Sequence, residues 1–126
     1  MVRLALIVFG VIWVLTGIYI FVLPQAFYNS IPGLDLMGPF SIHFIRDVGL
    51  VYLAAGGTTI YAGLTWQRSL AIAGTLWPLL HGLFHIQIWA MRGFPLDHIF
   101  YFDAAGVIFP SVLAFGLAWR LRPREG

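Results

Sequence analysis

Four histidines and four aspartates carry most of the chemistry this chain could do, and their spacing is uneven. His43 and Asp47 stand four residues apart, as do His81 and His85, and Asp97, His98 and Asp103 follow close together. Residues four apart share one face of a helix. Neutral imidazoles and carboxylates are ligands for zinc, copper or iron, and two histidines at i, i+4 hold one ion together. Residue types and spacing therefore predict a transition-metal site, copper or zinc by preference. His43, His81 and His85 would be its nitrogen donors, and Asp47 or Asp103 would complete it. Arg46 would hold the acids. Asp97, better placed as a helix cap, and His98, beside it at the interface, stand just outside the ligand set.

The motif has limits. His81-Gly82-Leu83-Phe84-His85 has no glutamate to act as general base, so it is not a metalloprotease signature. Four histidines suffice for one ion, two at most. Met37 and Met91 suit Cu(I), although methionine in an apolar bundle mostly fills space. A purely structural network competes with the metal reading. Arg46 would then pair with Asp47 or Asp103, and His81 or His85 would meet a carbonyl freed by Pro78 or Pro110. Haem between His43 and His81 or His85 is a further reading. So is a quinone stacked on Trp77, Phe84 or Trp89, or acid–base chemistry by histidine and aspartate on a hydrophobic substrate.

The elements that must position these groups belong to a lipid solvent. Of 126 residues, 60% are hydrophobic and only 10% charged, against about 25% charged in ordinary soluble domains. Mean hydropathy is +0.89. A chain this short cannot bury so much apolar surface in a water-soluble core. Uncharged runs cover Leu4–Leu23, Val48–Gln67, Ser69–Met91 and Ala104–Trp119, each near the roughly 20 residues that cross a bilayer. The first run is long for a signal peptide and lacks a small-x-small site before Pro24, so it reads as a retained helix. The expected fold is all-α: an integral membrane four-helix up-down bundle, one transmembrane domain over residues 1–126. Its helices are expected at about 2–23, 39–66, 68–91 and 98–120. Pro39 suits the first turn of the second helix and Asp97 the cap of the fourth. The connection 24–38 is expected to hold a small interfacial turn around Phe27 and Tyr28.

Charge sets the orientation. Arg3, Arg68, Arg120, Arg122 and Arg124 fall at one end of such a bundle, Arg46 and Arg92 at the other. The positive-inside rule then places both termini in the cytoplasm. Every histidine and aspartate falls in the outer half, and only Glu125 lies in the tail. At 1.5 Å per residue, His43, Asp47, His81, His85 and Asp103 come roughly 5–15 Å below the outer edge of the hydrocarbon. Pro78 and Pro110 each remove a helix hydrogen bond and predict kinks. Gly49, Gly56 and Gly63, spaced by seven, predict a seam of close helix contact. With no cysteine there is no disulfide or thiolate site, and the scattered arginines form no nucleic-acid patch.

The stretches FYNSIPG (27–33), GPFSIHFIRDVGLVYLAAG (38–56), HGLFH (81–85) and FPLDH (94–98) resemble a family of small uncharacterised bacterial four-helix membrane proteins. That family has a His-x-x-Arg-Asp-x-Gly signature on its second helix, here His43, Arg46, Asp47 and Gly49, and a His-x-x-x-His on its third, here His81 and His85. The resemblance implies topology and a shared polar site, in a bacterial inner membrane, but no reaction. The layout is also similar to DoxX-like four-helix proteins. Two function classes follow: a metal-binding membrane protein, or a non-catalytic subunit of a larger oxidase or monooxygenase complex whose polar cluster only fastens helices. Expected partners are membrane lipid and other membrane subunits or further copies of the chain; nucleic acid is not among them.

Overall fold

The computed structural model describes residues 1–122; Arg124 and Glu125, assigned above to the tail, lie outside the described residues. Its elements are α1 (Val2–Val22), α2 (Pro24–Ser30), α3 (Ile42–Thr65), α4 (Arg68–Met91), α5 (His98–Asp103) and α6 (Phe109–Arg120). A 3₁₀ turn, Leu34–Met37, precedes α3, and a turn of π-helix, Ala104–Ile108, joins α5 to α6. No strand occurs among the described residues. Four helical stretches are long and apolar enough to cross a membrane: Val2–Val22, Ile42–Thr65, Arg68–Met91 and the continuous fourth span His98–Arg120.

The boundaries follow local chemistry. Ser41, not Pro39, opens α3: its hydroxyl accepts from the backbone N–H of Phe44 at 3.4 Å, satisfying one of the amides a helix start leaves free. Pro39 stays in the connection. The first connection is more ordered than a single turn, because α2 begins on Pro24 directly after Leu23. Its Tyr28 hydroxyl donates to the Gly38 carbonyl at 2.6 Å, tying α2 to the start of α3. The α3–α4 turn needs only Trp66 and Gln67, with Trp66 in the left-handed region (φ 61). The Arg3 guanidinium lies 5.1 Å over the Trp66 ring and that of Arg68 4.9 Å over Trp119. The arginine end of the bundle is thus held by cation–π pairs above a core of Leu6, Ala62, Ala71, Ala118 and Leu121.

Around the bundle α1 packs on α3, α3 on α4, α4 on α6 and α6 on α1. In lipid no hydrophobic force drives helix to helix, so close approach at small residues must supply the attraction. The expected glycine seam is present and has a counterpart on α1. A β-carbon on Gly56 would lie 2.6 Å from the Gly10 carbonyl oxygen, and one on Gly17 2.7 Å from that of Gly49. Next round, a β-carbon on Gly74 would lie 2.6 Å from Thr59 Oγ1. The buried hydroxyls of Thr59, Thr75 and Ser111 donate back to Ala55, Ala71 and Ile108 of their own helices, so none is left unpaired.

Gly56→Ala should force α1 from α3 and cost about 1–3 kcal/mol, as overpacking does, whereas Gly116→Ala, whose β-carbon meets nothing within 4 Å, should be neutral or better. Thermal unfolding of the two variants in detergent measures the difference.

Candidate functional site

At the end opposite the arginine pairs, α4 and the fourth span bring His85 and Asp103 together. Asp103 Oδ2 lies 2.9 Å from His85 Nδ1, and the two side chains are 10% and 18% exposed respectively. The approach is too bent for an aligned N–H···O bond, and Nδ1 has no other partner. The carboxylate is thus beside the ring by charge and distance more than by directed hydrogen bonding.

The π turn explains why Asp103 points there. Phe109 N–H reaches back five residues to the Ala104 carbonyl. In a regular α-helix Asp103 and Ile108, five apart, would be separated by about 140° around the axis. The wider turn puts both on the buried face, at 7% and 9% exposure. Ser111, Ala114 and Ala118 continue that face at ordinary α-helical spacing. The sequence predicted a kink at Pro110; the irregularity found is this turn just before it. On the other side α4 runs unbroken through Pro78, and Gly82 packs directly on Ser111. That contact lets the two helix backbones come close enough for His85 to reach across.

His81 lies one turn deeper. Its ring meets His85 edge-on with centroids 4.7 Å apart and stacks on Trp77 at 4.9 Å and 10°. Tyr52 of α3 closes on Trp77 at 4.9 Å. His81 is therefore wedged in an aromatic column that backs His85.

A cavity of about 40 Å³ opens beside the pair. Its walls include His85 and Asp103 from the two helices, Arg92 at the end of α4, Ile99 of α5, and Gly33 and Met37 from the covering segment 31–37. Gly33, in the left-handed region (φ 78), lies so close to Ile99 that a β-carbon would sit 2.8 Å from its Cδ1. That fit seats the cover. The space suffices for about three waters, each needing roughly 10–15 Å³.

The remaining residues named from the sequence lie elsewhere. His43 and Asp47 pair only with each other, 3.0 Å apart, with side chains 87% and 57% exposed; they do not join His81, His85 and Asp103. Arg46 holds no acid. Its Nε donates to the Phe21 carbonyl at 3.2 Å, and its guanidinium lies 5.4 Å over the Phe21 ring, so it caps the end of α1, where carbonyls lack helical partners. Asp97 is the N-cap of α5, accepting from Phe100 N–H at 3.0 Å, and pairs with Arg92. His98, the first residue of α5, is exposed. Among the described residues no group of three or more histidines and acids is arranged to hold a metal ion. Met37, named above for its thioether, borders the cavity because the connection 31–37 folds over it; Met91 is not among the lining residues.

Comparison of the chain with family models, with curated proteins and with solved structures gives no match.

The hydrogen bond from Arg92 and, after it, the Phe100 amide hold the Asp97 carboxyl below its ordinary 3.8. A depressed folded-state value adds stability above the ordinary one, and that stability is lost as pH falls through 3.8 and below. Asp97→Asn keeps a capping side chain but not the charge. In detergent the wild type should unfold at higher temperature than Asp97→Asn near about pH 6, and the gap should close on acidification.

Proposed function

We propose that the chain is a multi-pass protein of the bacterial inner membrane, both termini cytoplasmic, that binds one transition-metal ion, copper by preference, beside His85 and Asp103. The observation that carries this reading is that His85, Asp103 and Met37 border one small cavity. About 40 Å³ suits an ion with a water, whereas pockets for organic ligands run to about 300–1,000 Å³; that weighs against haem or a quinone ring. The donor set is mixed. Imidazole suits copper and zinc, and a thioether selects Cu(I). With Asp103 beside Nδ1, Nε2 is the nitrogen free to bind, and a small turn of the ring or carboxylate on loading would complete the carboxylate–histidine–metal arrangement. His81 and the Trp77 ring hold His85 in place from behind. Orientation rests on the gathering of Arg3, Arg68, Arg120 and Arg122 at one end.

Purified protein loaded with Cu(I) under anaerobic reducing conditions, or with Zn(II), and passed through a desalting column should retain about one ion per chain by element analysis. His85→Ala should lose both metals. Met37→Leu should lose Cu(I) and keep zinc. His43→Ala should change nothing. A metal-free wild type in both states, or equal losses from His43→Ala and His85→Ala, would overturn the reading.

A further inference from the structure

At the arginine end of the bundle a groove of about 350 Å³ runs between the start of α1 and the end of α3, walled by Met1, Arg3, Leu4, Ile7 and Trp66. Close packing sets its base. A β-carbon on Gly63 would lie 2.7 Å from Ile7 Cγ1 and 3.3 Å from the Arg3 carbonyl oxygen. With α1 pressed on Gly63, Trp66 comes beside Arg3, because residues three apart share a helix face. Trp66 closes α3 in the left-handed region (φ 61), where glycine or asparagine ordinarily stands. A bulky side chain held there is an outlier that calls for a use. Its ring supplies one, as the platform 5.1 Å beneath the Arg3 guanidinium.

That stack occupies the flat face of the guanidinium and leaves the N–H groups at its rim free. Among the described residues, Arg46 and Arg92 are the arginines whose side chains donate hydrogen bonds, and Arg92 alone joins a salt bridge. Asp35, Asp47, Asp97 and Asp103 lie toward the other end of the bundle, whereas Arg68, Arg120 and Arg122 gather at the end that holds Arg3. The groove therefore joins an oriented cation that has no acid to apolar walls, with Leu4 66% exposed.

We propose that this groove binds one anionic phospholipid, its phosphate on the rim of Arg3, its glycerol beside Trp66 and the start of an acyl chain against Leu4 and Ile7. Complementarity of charge and polarity selects this occupant. A free phosphate would match the cation and leave the apolar walls wet. A zwitterionic lipid would bring its own cation to an end already crowded with them. Basic pockets on the cytoplasmic side of membrane helices take anionic head groups, and tryptophan settles at headgroup level. The inference rests on the inner-membrane reading above and is independent of the metal site.

The full chain in mild detergent, given equal amounts of phosphatidylglycerol and phosphatidylcholine with the same acyl chains, should retain about one phosphatidylglycerol, preferred about fivefold or more, by native mass spectrometry. Arg3→Gln should abolish the preference. So should Leu4→Glu, which sets a carboxylate in the groove at an exposed position and leaves the packing intact. Arg120→Gln removes the same charge from the same end of the bundle and should keep the preference, and inorganic phosphate should not displace the lipid. Equal retention of the two lipids, displacement by phosphate, or equal losses from Arg3→Gln and Arg120→Gln would each overturn the site. Carbonate washing of membranes separates the two readings: a chain that washes off sinks both, and a chain that stays but shows no lipid preference sinks the lipid site alone.

Discussion

An aspartate in the second turn of the last span can face outward or toward the bundle, and the backbone decides which. Asp103 faces inward because one residue too many is wound into the turn that follows it. Without that wide turn the face built by Ile108, Ser111, Ala114 and Ala118 would carry on past Asp103 on a different azimuth, and the carboxylate would leave His85. A π turn sacrifices regular hydrogen bonding and survives where something compensates it, often at functional sites. Here the compensation is the His85–Asp103 contact, together with the tight Gly82–Ser111 crossing that brings α4 alongside. The cavity, the seat of Gly33 on Ile99 and the position of Met37 all depend on that one rotation.

The two sides of the bundle are built differently, and the difference explains where a site can exist. Between α1 and α3 glycines face glycine carbonyls, and there is no room for a β-carbon, much less a ligand. Between α4 and the fourth span the glycine contact is a single one, and beyond it toward the histidine end the helices carry His85, Ile88, Ile99 and Asp103. Among these larger side chains a gap remains, and the connection between α2 and α3 roofs it. Trp89 stiffens that end: its indole N–H donates to the Pro95 carbonyl at 2.9 Å, and its ring stacks on Phe100 at 4.5 Å.

Hydropathy and charge, with Asp97 as a cap signal, made these helices legible: α1, α4 and the fourth span begin and end within a residue of the expected 2–23, 68–91 and 98–120. The seven-residue glycine spacing likewise had one physical meaning. The site was legible only in part. An i, i+4 pair says that two side chains share a face, but not toward what that face is turned. His81 and His85 turn inward; His43 and Asp47, with the same spacing, turn outward. The difference lies in direction, which depends on which neighbours α3 presses against. The start of α3 was misplaced by Pro39: Ser41 offers the side-chain acceptor that caps the helix. The π turn has no sequence mark beyond Pro110, which predicts disturbance but not its form.

The polar groups at the histidine end sort by what their surroundings can give back. Arg92 and Asp97 neutralise each other at the head of the fourth span, and Arg46 finds a helix-end carbonyl. His85 and Asp103 are enclosed, with room for little more than an ion or water between them and the roof. His43 and Asp47 have only each other, and the chain supplies no cover for them. That pair lies on the face of α3 turned away from α1 and α4, so the spacing that brings His81 to His85 gathers nothing there.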